Sequence, residues 1–371
     1  HGFYNNDYPQ YNQILKGISN FSRTSAELNL RYNKVFHETH HLAGIVGTRM
    51  NFDEIIQDIG TGVGTPSDEF KDLGITREEG RTKSGYQFFR NEITNFLGIS
   101  YNFKEMYFAD IALAADASSN IGTAVEPQIL GVPVALSPAI GLGWNLSKLA
   151  GFSYSSFINY MKLRLSAGRM ANVIYDPYIS HNFYTPKQYY TATGYAKLKL
   201  QNEGLRWETT NKIDFGIDLA LLKQRLYVSA DVYYHQTPGL LNNTSSEIEL
   251  GMQYWSNNGE LNTIGSDYSI RYRALERQDF KWNTEISVAQ YITKAANLDS
   301  DLIYDFGDGQ KIFRNGKQAG SFYGYQVLGV IPSEAEANRL NLSHANGSPF
   351  KAGDIHFYDK NGDKVIDDAD K

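Results

Sequence analysis

The sequence predicts an all-β protein, and within that class a transmembrane antiparallel β-barrel of which about ten or more strands are visible. Three observations carry this: residues that separate by parity into an apolar and a polar face, short connections that alternate with long ones, and an aromatic, glycine-rich composition. The 371 residues include 26 Tyr, 20 Phe and 33 Gly but only 10 Pro, a balance that suits many strands joined by turns.

The strands read in order with period two. In SAELNLRY, Ala26, Leu28, Leu30 and Tyr32 share one side, and Ser25, Glu27, Asn29 and Arg31 the other. Met161, Leu163, Leu165 and Ala167 oppose Lys162, Arg164 and Ser166; Ile213, Phe215, Ile217, Leu219 and Leu221 oppose Lys212, Asp214 and Asp218. LYVSADVYY, AKLKL, YSIRYRA and WNTEISV repeat the scheme, and no charge in these seven segments falls on the apolar parity. A face that meets hydrocarbon has this property, because Arg or Lys there costs about 2–4 kcal/mol at the bilayer midplane. A soluble sandwich core would also reject charge, so alternation alone leaves both architectures open.

Connections discriminate further. Residues 33–40, 221–225 and 275–281 read as short links, and 51–93, 169–193, 235–267 and 292–371 as long polar stretches. Long loops on one side and tight turns on the other are normal for a membrane barrel and uncommon in compact soluble domains. An open set of about ten strands would leave two unpaired edges in lipid. The visible chain is therefore expected to be a piece.

Net charge is −6 and no basic block occurs, which argues against nucleic acid as a partner. Cys is absent, which removes disulfides and thiolate chemistry. Mean hydropathy is −0.42 and no apolar run nears the roughly 20 residues of a spanning helix, whereas a β-barrel keeps a low mean hydropathy. No Ser, His and acid grouping has enzyme spacing, so the chain is not expected to be an enzyme.

The segments that carry the strand pattern also carry a likeness. GLRWETTNKIDFGIDLALLKQRLYVSADVYYHQTPGLL (204–241) resembles the barrel of SusC-like (RagA-like) TonB-dependent outer-membrane transporters. NNGELNTIGSDYSIRYRALERQDFKWNTEISVA (257–289) is similar to that family's next hairpin, and GSFYGYQVLGVIPSEAEA with AGDIHFYDKNGDKVIDDADK to its stretch before the last strands. YNFKEMYFADIALAADAS, SPAIGLGWNLSK and MKLRLSAGRMAN follow the family order upstream. The resemblance implies a barrel of about twenty-two strands, with residues 1–371 forming part of it and bearing long extracellular loops. It implies a plug and TonB box outside this chain, a SusD-like surface lipoprotein as lid, outer-membrane lipid around the wall, and uptake of glycan fragments or peptides. The alternative is a secreted or soluble β-rich protein that binds or hydrolyses polysaccharide, with a calcium-stapled loop.

DKNGDKVIDDAD can be counted as a calcium loop, with Asp359, Asn361, Asp363, the Val365 carbonyl, Asp367 and Asp370 at positions 1, 3, 5, 7, 9 and 12. Lys364 stands where Gly is usual, and position 12 is Asp rather than Glu. The other reading is an Asx-turn loop that needs no metal. Tyr254, Trp255, Tyr178, Tyr189 and Tyr190 lie in expected external segments, where their rings suit sugar or peptide side chains, or pack the loops themselves. Tyr32, Tyr233 and Tyr234 are expected in the interfacial girdle. HETHH (37–41) reads as a solvated turn, since His40 and His41 point to opposite faces, and GTGVGT (60–65) as a flexible loop.

Overall fold

The computed structural model describes residues 12–67, 69–149, 157–172, 179–190, 192–245, 252–307 and 309–371. Ten strands form one sheet: β1 (Gln13–Phe36), β2 (His40–Val63), β3 (Thr82–Phe103), β4 (Tyr107–Ser118), β5 (Ala135–Asn145), β6 (Ile158–Asn172), β7 (Glu208–Leu221), β8 (Leu226–Pro238), β9 (Glu260–Glu276) and β10 (Lys281–Ala296). They pair antiparallel in chain order, with β1 and β10 at the edges.

Parity decides which residues meet across the ladders. One row runs the width of the sheet through Tyr32, Gly44, Ile99, Ile111, Ile140, Ala167, Ile213, Tyr234, Ile264 and Ile292. Not one of these ten carries a charge, and the rows flanking it repeat the pattern with few exceptions. Among the described residues no second layer covers this face: Leu28 is 75% exposed, Ile140 47% and Ile286 60%. The row begins four residues before the end of β1 and finishes eleven into β10. Each strand is thus shifted along its neighbour, the stagger that a barrel of tilted strands requires.

The apolar band has a definite height. On β2 it runs from Leu42 to Phe52, ten residue steps, and Glu54 follows on the same face; on β10 it runs ten steps from Trp282 to Ile292, and Lys294 follows. At about 3.4 Å per residue, strands tilted by about 40° as in a barrel would carry such a band through about 25 Å. β1, β2 and β3, with 24, 24 and 22 residues, rise well past it.

That length corrects several loop boundaries. The long stretch expected at 51–93 narrows to 64–81, because the polar sequence around Asp53 and Gln57 stays paired rung by rung with β1 and β3. The stretch at 235–267 narrows to 239–259, and the GTGVGT segment is strand through Val63. Strand propensity fades there, but ladder hydrogen bonds on both sides hold the backbone. The short links are turns at 37–39, 104–106, 222–225 and 277–280, all at one end of the sheet.

The long connections pack at the other end. Gly122 N–H donates to the Leu205 carbonyl, and Ile121, Val125, Ala135 and Trp207 form a small core. Ile179, Leu205 and Leu241 form another, covered by Trp255. Beyond β10, residues 326–371 build a separate module on Ile331, Ala337, Leu342, Phe350 and Ile366. Its helix, Glu334–Leu340, is capped by Ser333, whose hydroxyl accepts from Glu336 N–H, and it ends at Asn341 in the left-handed region.

Candidate functional site

The face opposite the apolar band is polar and organised. Near the long-loop end, Arg23 Nε and Nη2 donate to the two oxygens of Asp53 at 2.6 and 2.8 Å, and Arg90 Nη2 donates to Oδ2 at 2.9 Å. Glu92 lies 3.5 Å from Arg90. The Asp53 side chain is fully buried beneath the two guanidiniums. The three residues meet because Arg23, Asp53 and Arg90 occupy one cross-strand row of β1, β2 and β3.

A second network centres on Arg164, which bonds Asp218 at 2.8 Å and Asp231 at 2.9 Å and touches Ser229. Gly216 lies under that guanidinium: a Cβ there would stand 2.7 Å from Arg164 Cζ. Close by, the rings of Tyr233 and His235 stack at 4.7 Å, His235 Nε2 is 3.2 Å from Asp214, and Tyr291 stands opposite Gly265. Between the networks the floor is made of small residues, Gly98, Ala112, Ala139 and Gly168 in one row, in a hollow of about 610 Å³ flanked by Arg31 and Lys212. Such a surface offers paired charges, hydroxyls and exposed rings to polar cargo or to an inserted segment.

Tyr233 therefore corrects the girdle expectation. It shares parity with Asp231 and His235 on the polar face, while Tyr234 projects into the apolar band beside Ile213 and Ile264 and donates to Asn262 Oδ1 at 2.8 Å. Consecutive strand residues cannot both face lipid. Tyr32 lies on the apolar face.

The loop aromatics separate. Tyr254 and Trp255 sit on a hairpin strand, Gln253–Asn257; Trp255 packs on the loop core, and its indole N–H is buried without a partner among the described residues. Tyr190 is at the tip of another hairpin, almost fully exposed. Tyr189 ends a strand, its side chain outside the described residues, as is the whole of Tyr178.

In the acidic loop the oxygens are held by backbone donors. Asp359 accepts from Gly362 and Lys364 N–H, Asn361 from Asp363, Asp363 from Val365, Asp367 from Ala369, and Asp370 from Lys360 and Asp367. Lys364 adopts φ +70° in the position where a calcium loop usually has Gly. Among the described residues no group of three or more His, Asp or Glu is gathered as a metal centre.

An aromatic row closes the short-turn end of the apolar face: Phe36, His40, Phe103, Tyr107 and Trp144 on five successive strands. His40 is thus part of a strand, 4.7 Å from Phe103, rather than of the solvated turn expected for HETHH. Sequence reasoning missed this row because its members stand on five separate strands and meet only through register.

Known proteins are similar to this chain in sequence and in fold. Over 95% of its length the chain is 27% identical to the TonB-dependent receptor P39 of Formosa agariphila. The chain is similar to TonB-dependent receptors. It is also 26% identical, over 76% of its length, to the TonB-dependent receptor SusC of Bacteroides thetaiotaomicron. It spans 36% of the first relative and 28% of the second. In fold it matches the RagAB peptide transporter with a TM-score of 0.71 at 18% identity, covering 85% of this chain and 35% of that one. No family model matches. The relatives are named as receptors and transporters rather than enzymes.

Proposed function

We propose that this chain is part of the barrel wall of a SusC-like TonB-dependent importer in the bacterial outer membrane, taking up glycan fragments or peptides. The observation that carries this reading is the uncovered apolar band about 25 Å tall on one face, backed by charge networks on the other. Lipid would cover the first face, and further strands would pair the exposed edges of β1 and β10, because hydrocarbon does not tolerate unpaired backbone. The polar face then lines the lumen, with short turns in the periplasm and the loop cap outside.

In this reading energy enters through TonB acting on a plug outside this chain, and a SusD-like lipoprotein closes over the cap. Tyr190, Tyr254 and Trp255 belong to the cap and contact substrate; the indole N–H of Trp255, without a partner among the described residues, supports that role, since a ligand oxygen would complete it. The acidic loop holds Ca²⁺ as a stiffener of the 326–371 module. Supporting this, Asp359, Asn361, Asp363, Asp367 and Asp370 fall at the sequence positions from which a calcium loop draws its oxygens. Terbium luminescence displaced by Ca²⁺, and lost in Asp363→Ala, is the expected behaviour; no terbium signal discards the ion.

The test of the main reading is solvent. The protein should be monodisperse only in detergent or lipid, and cells lacking it should fail to accumulate a labelled glycan or peptide. A protein monodisperse without either would instead be the soluble polysaccharide-binding alternative.

A further inference from the structure

Under the barrel reading, one part of the apolar face is not a uniform lipid wall. Beside the aromatic row the surface sinks over Ala109, whose cross-strand neighbours are Tyr101 and Leu142. The hollow, about 520 Å³, is lined by Tyr101, Tyr107, Leu142, Trp144 and Leu165. Small-against-large pairing creates it: the methyl of Ala109 lies between two bulky side chains, and none of the described residues fills the gap.

Two cations lie along the aromatic row at the short-turn end of the same face, Lys104 in the turn between β3 and β4 and Lys34 on β1, three strands from Ala109. Lys104 Nζ lies 5.1 Å from the centre of the Phe103 ring, and Lys34 Nζ lies 4.9 Å from that of Phe36, so both heads hang on the apolar side. Neither pairs with a carboxylate among the described residues; of the nearby acids, Glu105 is taken by Lys148 at 2.6 Å, and Glu38 lies in the turn beyond. His40 Nδ1 is 2.6 Å from the Tyr101 hydroxyl. When that hydroxyl donates to Nδ1, the Nε2–H of the imidazole is left to donate elsewhere.

We propose that this corner binds one anionic phospholipid of the periplasmic leaflet, with an acyl chain in the hollow over Ala109 and the phosphate against Lys104, Lys34 and His40. Charge complementarity selects the headgroup, since lysines held over aromatic rings at the interface attract anionic lipid. Position selects the leaflet. The short turns lie opposite the loop cap, so the site faces phospholipid rather than the external surface. The inference rests on the barrel reading and adds to it a preferred lipid.

The experiment uses the intact protein, delipidated in detergent and titrated with phosphatidylglycerol or phosphatidylcholine, with retained lipid counted by native mass spectrometry. Phosphatidylglycerol should be retained at least about 10-fold better, and Lys34→Ala and Lys104→Ala should each weaken it on the order of 5-fold. Lys34→Arg with Lys104→Arg should keep the preference. Ala109→Trp should reduce retention of both lipids, and the lysine variants keep the test sharp if that variant does not fold. Equal retention of the two lipids, or a preference untouched by removing both lysines, overturns the proposal while leaving the barrel intact. A protein monodisperse without detergent would overturn the barrel reading itself.

Discussion

The ring of Tyr233 on β8 lies over Gly265 on β9, so close that a methyl group added to Gly265 would stand 2.4 Å from ring carbon Cζ. A glycine in a strand interior leaves backbone uncovered, and a cross-strand ring fills that space. Here the glycine also lets Tyr233 reach its stack with His235. Gly265→Ala should therefore cost about 1 kcal/mol through displacement of the ring. In the double variant with Tyr233→Ala the two costs should not add, because the clash disappears with the ring. Urea unfolding in lipid vesicles, followed by tryptophan fluorescence, measures both; strictly additive costs would show that ring and glycine do not interact.

Ile140 is midway along the row that crosses all ten strands and is half exposed. Placed in hydrocarbon, Ile140→Arg should destabilise the folded protein by about 2–4 kcal/mol. Ser287→Arg, on the polar face of β10 opposite Ser269, should change stability by about 0.5 kcal/mol or less. The difference is read from the folded fraction on unheated gels after refolding into vesicles. Equal effects of the two arginines would mean that lipid does not cover the apolar face.

The strands were legible because a single physical rule, alternation, acts on each of them separately. Ala26, Leu28, Leu30 and Tyr32 declared a face without any knowledge of β2. The extensions of β1 to β3 were not legible, since Asp53, Glu54 and Gln57 are polar on both parities and only ladder pairing keeps them extended. For the same reason the Asp53 network could not be found: Arg23, Asp53 and Arg90 are distant in sequence and meet only through register. Tyr233 and Tyr234 failed differently, because parity already assigned them to opposite faces. The helix Glu334–Leu340 carries a readable signal, Ser333 followed three residues later by Glu336, within a stretch that otherwise reads as polar loop.

Asp53 gives a third prediction. Its side chain has no solvent exposure and accepts from two guanidiniums, one of which, Arg90, is itself buried. Asp53→Ala leaves Arg90 without its main counter-charge and should cost about 3 kcal/mol, whereas Arg23→Ala, removing the more exposed partner, should cost about 1 kcal/mol. Thermal melts of the reconstituted protein give the order. A larger loss from Arg23→Ala than from Asp53→Ala would show that Arg90 does not depend on this carboxylate.

The acidic loop responds to pH through Asp370. Backbone N–H groups of Asp367, Lys360 and Asn361 donate to its carboxylate and hold its pKa below the ordinary carboxylate range, against a smaller opposing effect of burial. A group depressed in the folded state contributes stability above its unfolded pKa, about 3.9, and loses it as pH falls through the folded value. The loop should therefore resist an acid-active protease such as pepsin equally at pH 6 and pH 5 and open only below about pH 4. Asp370→Asn keeps one acceptor oxygen but cannot titrate, so cleavage within residues 345–371 should begin from a higher baseline and lose its steep rise in acid. If the variant keeps the parent's pH profile, the acid response belongs to another carboxylate of the loop and Asp370 is only a structural cap.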